Sequence, residues 1–111
     1  MSHWLNITGP SCTFDSACSS SLVALESAYR SIQSGECNAA IVGGLNLCLN
    51  PYLALQFARL ELAPDEICKP FNDDANGYMR GETIGVAFLQ KAKVAKRIYA
   101  IVVYGKTNCD E

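Results

Sequence analysis

The chain has 111 residues, half of them apolar, which is enough for one small domain with a core and no more. Nine basic residues against eleven acidic leave a net charge of −2. That balance gives no basis for a nucleic acid or an anionic membrane as partner, and the cluster Lys91, Lys93, Lys96 and Arg97 reads as a solvated turn. Six cysteines lie at positions 12, 18, 37, 48, 68 and 109, with no Cys-x-x-Cys spacing and a single histidine, His3. Close ligand pairs are therefore missing and no metal site is expected. Cys48 stands between Leu47 and Leu49, so buried free thiols in a reducing compartment fit better than a secreted disulfide framework.

Residues 1–11 carry Trp4, Leu5 and Ile7 without nearby apolar partners, then the turn signal Gly9-Pro10. The opening residues have no basic n-region and no apolar h-region. Cys12-Thr13-Phe14 is a short extended run leading to Asp15. Residues 16–34 show helical spacing through Leu22, Leu25, Ala28 or Tyr29, and Ile32, and Gly35 is placed to end that helix. Residues 39–45 form a continuous apolar run with glycines, typical of a strand buried on both faces. The longest apolar stretch, residues 39–49, is broken by Gly43, Gly44 and Asn46 and falls short of the ~20 residues a membrane span needs. A soluble, cytoplasmic protein is expected.

Asn50-Pro51 reads as an N-cap with proline in the first helical position, and residues 52–62 as a second helix. Residues 63–80 are a polar loop, long enough to suggest function or a partner surface. Residues 83–90 alternate as a strand, with Ile84, Val86 and Phe88 on one face and Gly85, Ala87 and Leu89 on the other. Residues 97–104 read as one more strand, again apolar on both faces. The fold class is α/β with a mostly buried sheet. Two helices are too few to cover both faces of such a sheet, so the chain reads as a piece of a larger fold.

The chemistry concentrates in Asp15-Ser16-Ala17-Cys18-Ser19-Ser20-Ser21-Leu22, where an extended run turns into a helix. Free backbone N–H groups and the helix dipole at such a turn favour a thiolate over a thiol. The small residues Ala17, Ser19, Ser20 and Ser21 leave room for a substrate. Strand–turn–helix placement of a nucleophile is the device of the serine elbow in hydrolases, and a backbone N–H at the turn can serve as an oxyanion donor. The bland reading is a buried structural cysteine at a helix start with serines as caps.

Gly9-Pro10-Ser11 together with that octapeptide resembles the active-site signature of β-ketoacyl synthases. The likeness is nearest to the ketosynthase domains of animal-type fatty acid synthases and type I polyketide synthases. It continues through Ser34-Gly35-Glu36-Cys37, residues 40–46, Cys68-Lys69-Pro70-Phe71-Asn72, Asn76-Gly77-Tyr78-Met79-Arg80-Gly81-Glu82, Arg97-Ile98-Tyr99-Ala100 and Thr107-Asn108. The resemblance implies a thiolase-like fold of two related halves. Residues 1–111 would be a fragment of a single β-ketoacyl synthase domain, giving most of the N-terminal half and the first strand of the C-terminal half. It implies that Cys18 accepts an acyl chain from a carrier-protein or coenzyme A thioester. Decarboxylative condensation with a malonyl thioester then follows, as in fatty acid or polyketide biosynthesis.

No directly bound cofactor is implied. The substrates would be phosphopantetheine-carried acyl and malonyl thioesters, and the partners an acyl carrier protein domain and a second ketosynthase in a homodimer. The family also uses two histidines, which lie further along its chain. His3 matches neither, so the 111 residues alone are not expected to condense. Asn72, Thr83 and Glu111 also depart from the pattern, away from Cys18. Arg80 and Glu82 are expected to pair or to brace the nucleophile turn, Cys12 and Cys37 to pack, and Phe71 and Tyr78 to anchor the long loop. A truncated, non-catalytic binding or dimerising module is the alternative. A thiolase- or chalcone-synthase-like acyltransferase fits the octapeptide less well, and a cysteine protease lacks a suitable histidine.

Overall fold

The computed structural model describes residues 2–59 and 67–109. In chain order they form a 3-10 turn at Ala17–Ser19, helix α1 (Ser20–Ser34), strand β1 (Ala39–Asn46), helix α2 (Pro51–Ala58), strand β2 (Thr83–Gln90) and a 3-10 turn at Ala92–Val94. The elements mix α and β as expected, and the two strands pair in one two-stranded sheet.

The residues fall into two compact units, one made of the described residues of 1–44 and 85–111, the other of those of 45–84. In the first unit α1 follows the expected periodicity, and Ile32 on α1 and Val42 on β1 are its buried side chains. Gly35 ends the helix at φ 82°, its N–H donating to the Ile32 carbonyl at 3.3 Å. Cys37 N–H donates to the Ser31 carbonyl, also at 3.3 Å, so carbonyls that the helix end would leave bare are satisfied. The later segment of this unit runs beside α1. Tyr29 Oη donates to the Val103 carbonyl at 3.1 Å, and the Thr107 hydroxyl donates to Glu26 Oε2 at 3.5 Å, while Glu26 also pairs with Arg30 one turn on.

In the second unit Asn50 caps α2 as expected, its side-chain oxygen accepting from Tyr52 N–H at 2.9 Å, with Pro51 in the first helical position. Glu82 accepts the Cys48 N–H at 2.7 Å, and Asn46 Nδ2 donates to the Gly81 carbonyl at 2.5 Å. Arg80 lies over the Phe57 ring, 4.8 Å from its centre. Cys68 Sγ accepts from Met79 N–H at 3.1 Å. No side chain in this unit is buried among the described residues.

Several expectations change. Residues 97–104 form no strand. The Val103 carbonyl is taken by a tyrosine side chain, and no neighbouring strand among the described residues offers a ladder. Residues 12–14 likewise pair with no strand. The sheet is not covered on both faces. On β1, Ala40, Val42 and Gly44 face the covered side while Ile41 and Leu45 are open; on β2, Ala87 and Leu89 are half-buried while Ile84, Val86 and Phe88 are open. Arg80 and Glu82 do not pair with each other, because each already has the partner named above. Phe71 is 98% exposed and anchors nothing, and Tyr78 is 36% exposed. No disulfide joins the six cysteines, but Cys12, Cys18, Cys68 and Cys109 are exposed and only Cys37 and Cys48 are half-buried. Helix α2 ends at Ala58 with Arg59 as its C-cap; residues 60–62 of the expected helix and the loop start at 63–66 lie outside the described residues.

Gly35→Ala places a Cβ in a left-handed backbone, which costs about 1–2 kcal/mol. Amide exchange in the last turn of α1 is expected to speed up about 5- to 30-fold, the factor that energy corresponds to, as read by hydrogen–deuterium exchange.

Candidate active site

Cys18 sits in the middle of the 3-10 turn that leads into α1, two residues before the helix proper. The turn is entered through an unusual backbone. Ala17 has φ 54°, in the left-handed region that residues with a Cβ seldom occupy. Ser16 before it is at φ −126°, ψ 37°. The reversal at Ala17 is what turns the chain from the extended run into the helix and leaves Cys18 exposed with a free thiol.

Such a backbone costs about 1–3 kcal/mol and persists only where its surroundings hold it. Three serines do so. Ser20 Oγ donates to the Ala17 carbonyl at 2.7 Å and accepts the Ser16 N–H at 2.9 Å. Ser19 Oγ donates to the Ser16 carbonyl at 2.9 Å and lies the same distance from Ser16 Oγ. Ser19 N–H reaches the Ser16 carbonyl at 3.4 Å, and Ala17 N–H points to Asp15 Oδ1 at 3.5 Å. At roughly 0.5–1.5 kcal/mol each, these hydrogen bonds are of the size needed to offset the strain. The serines therefore clasp the turn. The bland reading, in which serines act as helix caps, is not met, since neither Ser16 nor Ser19 makes a side-chain cap bond.

Beside the turn, an open cleft of about 420 Å³ runs between Ser19 and α1, at Leu22 and Glu26, on one side and the segment carrying Tyr104 and Thr107 on the other. Ser19 on its wall is the residue next to Cys18. Residues 15–20 include no histidine, and the single His3 is an exposed residue of the opening segment. No group of three or more His, Cys, Asp or Glu side chains among the described residues is arranged to hold a metal ion, and no helix among them is long and apolar enough to cross a membrane.

Cys18 is thus brought to the turn into α1 as expected, though no strand leads into that turn, while the other residues weighed in the sequence serve elsewhere. Glu82 holds the backbone at Cys48, and Arg80 stacks on Phe57. Two features were missed. The left-handed Ala17 had as its only signal the run of small residues around the cysteine. The approach of Ser21 to Gly44, which leaves no room for a Cβ there, had no local signal at all.

Comparison with known proteins gives a consistent picture. Residues 1–95 match the family model "Beta-ketoacyl synthase, N-terminal domain". The chain is 48% identical over 111 residues to a fatty acid synthase of Anser anser anser, covering 99% of this chain and 32% of that sequence. It is 43% identical over 119 residues to the citrinin polyketide synthase of Monascus ruber, covering 98% of this chain and 5% of that one. Among solved structures it is similar to the ketosynthase from module 6 of the bacillaene synthase of Bacillus subtilis 168 (TM-score 0.75, 38% identity, 83% of this chain and 17% of that one). The oxazolomycin ketosynthase domain of Streptomyces albus JA3453 aligns with TM-score 0.74 and 36% identity over 86% of this chain and 17% of that one. The chain thus spans a third or less of each relative.

With iodoacetamide at neutral pH, Cys18 is expected to be labelled ahead of Cys12, Cys37, Cys48, Cys68 and Cys109 in a time course read by peptide mass spectrometry. Equal rates at Cys18 and the other exposed thiols would remove its special standing.

Proposed function

The chain belongs to the β-ketoacyl synthase N-terminal domain family, and from that premise we propose that it is part of a condensing enzyme of fatty acid or polyketide biosynthesis with Cys18 as the acyl-accepting nucleophile. The observation that carries this reading is the elbow: a strained Ala17, clasped by three serines, that presents an exposed thiol at the start of a helix.

The chemistry is acyl transfer in two stages. Cys18 Sγ attacks the carbonyl carbon of a phosphopantetheine-borne acyl thioester, a new S–C bond forms, the donor's C–S bond breaks, and the cysteine's proton leaves with the donor thiol. The Cys18 N–H, which takes no part in the hydrogen bonds within the turn, is the proposed oxyanion donor for the tetrahedral intermediate. In the second stage a malonyl thioester loses carbon dioxide. The electron pair of its broken C–C bond attacks the acyl carbon, the bond to Cys18 breaks, and the thiol regains a proton as the 3-oxoacyl thioester departs.

The second stage needs groups that stabilise the developing enolate. In the resembled enzymes these are two histidines, and His3 is the only histidine in this sequence. The 111 residues are accordingly proposed to supply the acylation half of the reaction, as one piece of a ketosynthase domain. An acyl carrier protein domain is the proposed donor, and a paired second ketosynthase the proposed assembly.

Incubation with the N-acetylcysteamine thioester of hexanoic acid is expected to add one hexanoyl group, located at Cys18 by peptide mass spectrometry, and Cys18→Ala is expected to take none. Malonyl thioester added afterwards is expected to give no 3-oxo product. A chain whose Cys18 stays unacylated under these conditions is better described as a non-catalytic ketosynthase-like module.

A further inference from the structure

Gly44 lies on the covered side of β1, against the first turn of α1. A Cβ at this position would stand 2.6 Å from Ser21 Cβ, 3.7 Å from Ser21 Cα and 3.7 Å from Ser21 Oγ. Non-bonded carbons settle at about 3.5–4.0 Å, so any side chain at 44 demands roughly 1 Å of extra room. The obstacle is space alone, since the Gly44 backbone is outside the left-handed region. The blocking atom cannot swing away either, because Ser21 Cβ is bonded directly to the helix backbone. The neighbouring Gly43 differs: a Cβ there would meet only the Gly85 carbonyl at 3.9 Å and Val86 Cγ2 at 4.0 Å, which is ordinary contact.

Ser21 is three residues past Cys18 and follows Ser20, whose hydroxyl grips both the Ala17 carbonyl and the Ser16 N–H. A push on Ser21 is therefore passed through Ser20 into the elbow that carries the thiol. We infer that Gly44 is a positioning residue for Cys18: its missing side chain sets the depth at which the first turn of α1, and the thiol with it, rests on β1. This rests on the reading of Cys18 as the acyl-accepting nucleophile. It adds that a strand residue 26 positions away in the sequence fixes where that nucleophile stands.

The test compares Gly44→Ala, Gly43→Ala and the double variant Gly44→Ala/Ser21→Gly in single-turnover acylation of Cys18 by the hexanoyl N-acetylcysteamine thioester. A displacement of about 1 Å at a reacting centre costs on the order of 100-fold in rate. Gly44→Ala is expected to lose about that factor at saturating thioester, with the half-saturating concentration little changed. Gly43→Ala is expected to keep the parent rate. The double variant, which removes the opposing Cβ, is expected to regain most of the loss. Glycine on its own weakens a helix, so a rescue by Ser21→Gly reports relief of the overlap at position 44. The inference is overturned if Gly44→Ala acylates at the parent rate, or if the double variant stays as slow as Gly44→Ala. A parent chain that takes no acyl group at Cys18 brings down the nucleophile reading, and the inference with it, before any variant is compared.

Discussion

The left-handed backbone at Ala17 is the constraint on which the candidate site depends. A chain that arrives extended and leaves as a helix must reverse within one residue if the thiol between them is to stand clear of both. An alanine in that conformation is strained, and its neighbours counter the strain with short serine hydrogen bonds across the turn. The residues that make the turn stable are also small, so the thiol stays accessible. Stability and access thus come from the same run of serines.

Behind the elbow, α1 is fixed at its two ends by different means. Its C-terminus stops at a left-handed glycine, and its first turn meets the backbone of β1 at a glycine with no room for a side chain. Its flank is held by polar contacts with the later part of the chain, through Tyr29 to Val103 and Glu26 to Thr107. Few apolar side chains share in this. Ile32 and Val42 are buried, while Ile41, Val86 and Phe88 are left open. Open apolar faces of this size invite association with other surfaces, and the solved ketosynthases that align with this chain are about six times its aligned length.

Family membership sets what the site is for, and the elbow sets what it can do. The match over residues 1–95 and the similarity to solved ketosynthases agree on the N-terminal ketosynthase domain and its mixed α/β fold. Acylation needs a nucleophile, a donor thioester and an oxyanion donor; in the proposed reading the Cys18 thiol is the first and the Cys18 N–H the last. Condensation needs further groups to stabilise an enolate, and the single His3 in the opening segment is not among the residues of the elbow.

Much of this was legible in the sequence because it is local. The octapeptide around Cys18, the helix that follows it, the stop at Gly35, the Asn50-Pro51 cap and the alternation of residues 83–90 each depend on residues a few positions apart. Periodicity and capping report on such neighbours directly. The errors came where the outcome depends on partners distant in sequence. Residues 97–104 have the composition of a strand, but a strand exists only when another offers it a ladder, and here the Val103 carbonyl is engaged by Tyr29 instead. Phe71 and the open faces of β1 and β2 have the apolarity of buried positions, but burial requires something to cover them. The close approach of Gly44 to Ser21 joins residues 23 positions apart and leaves no trace in either segment's pattern. The sequence by itself determined the turn that carries Cys18 and the local elements, because those are set by short-range backbone energetics. Only the tertiary structure decided which faces are covered, which extended segments pair and how deep the elbow rests on the strand, because those are set by which surfaces meet.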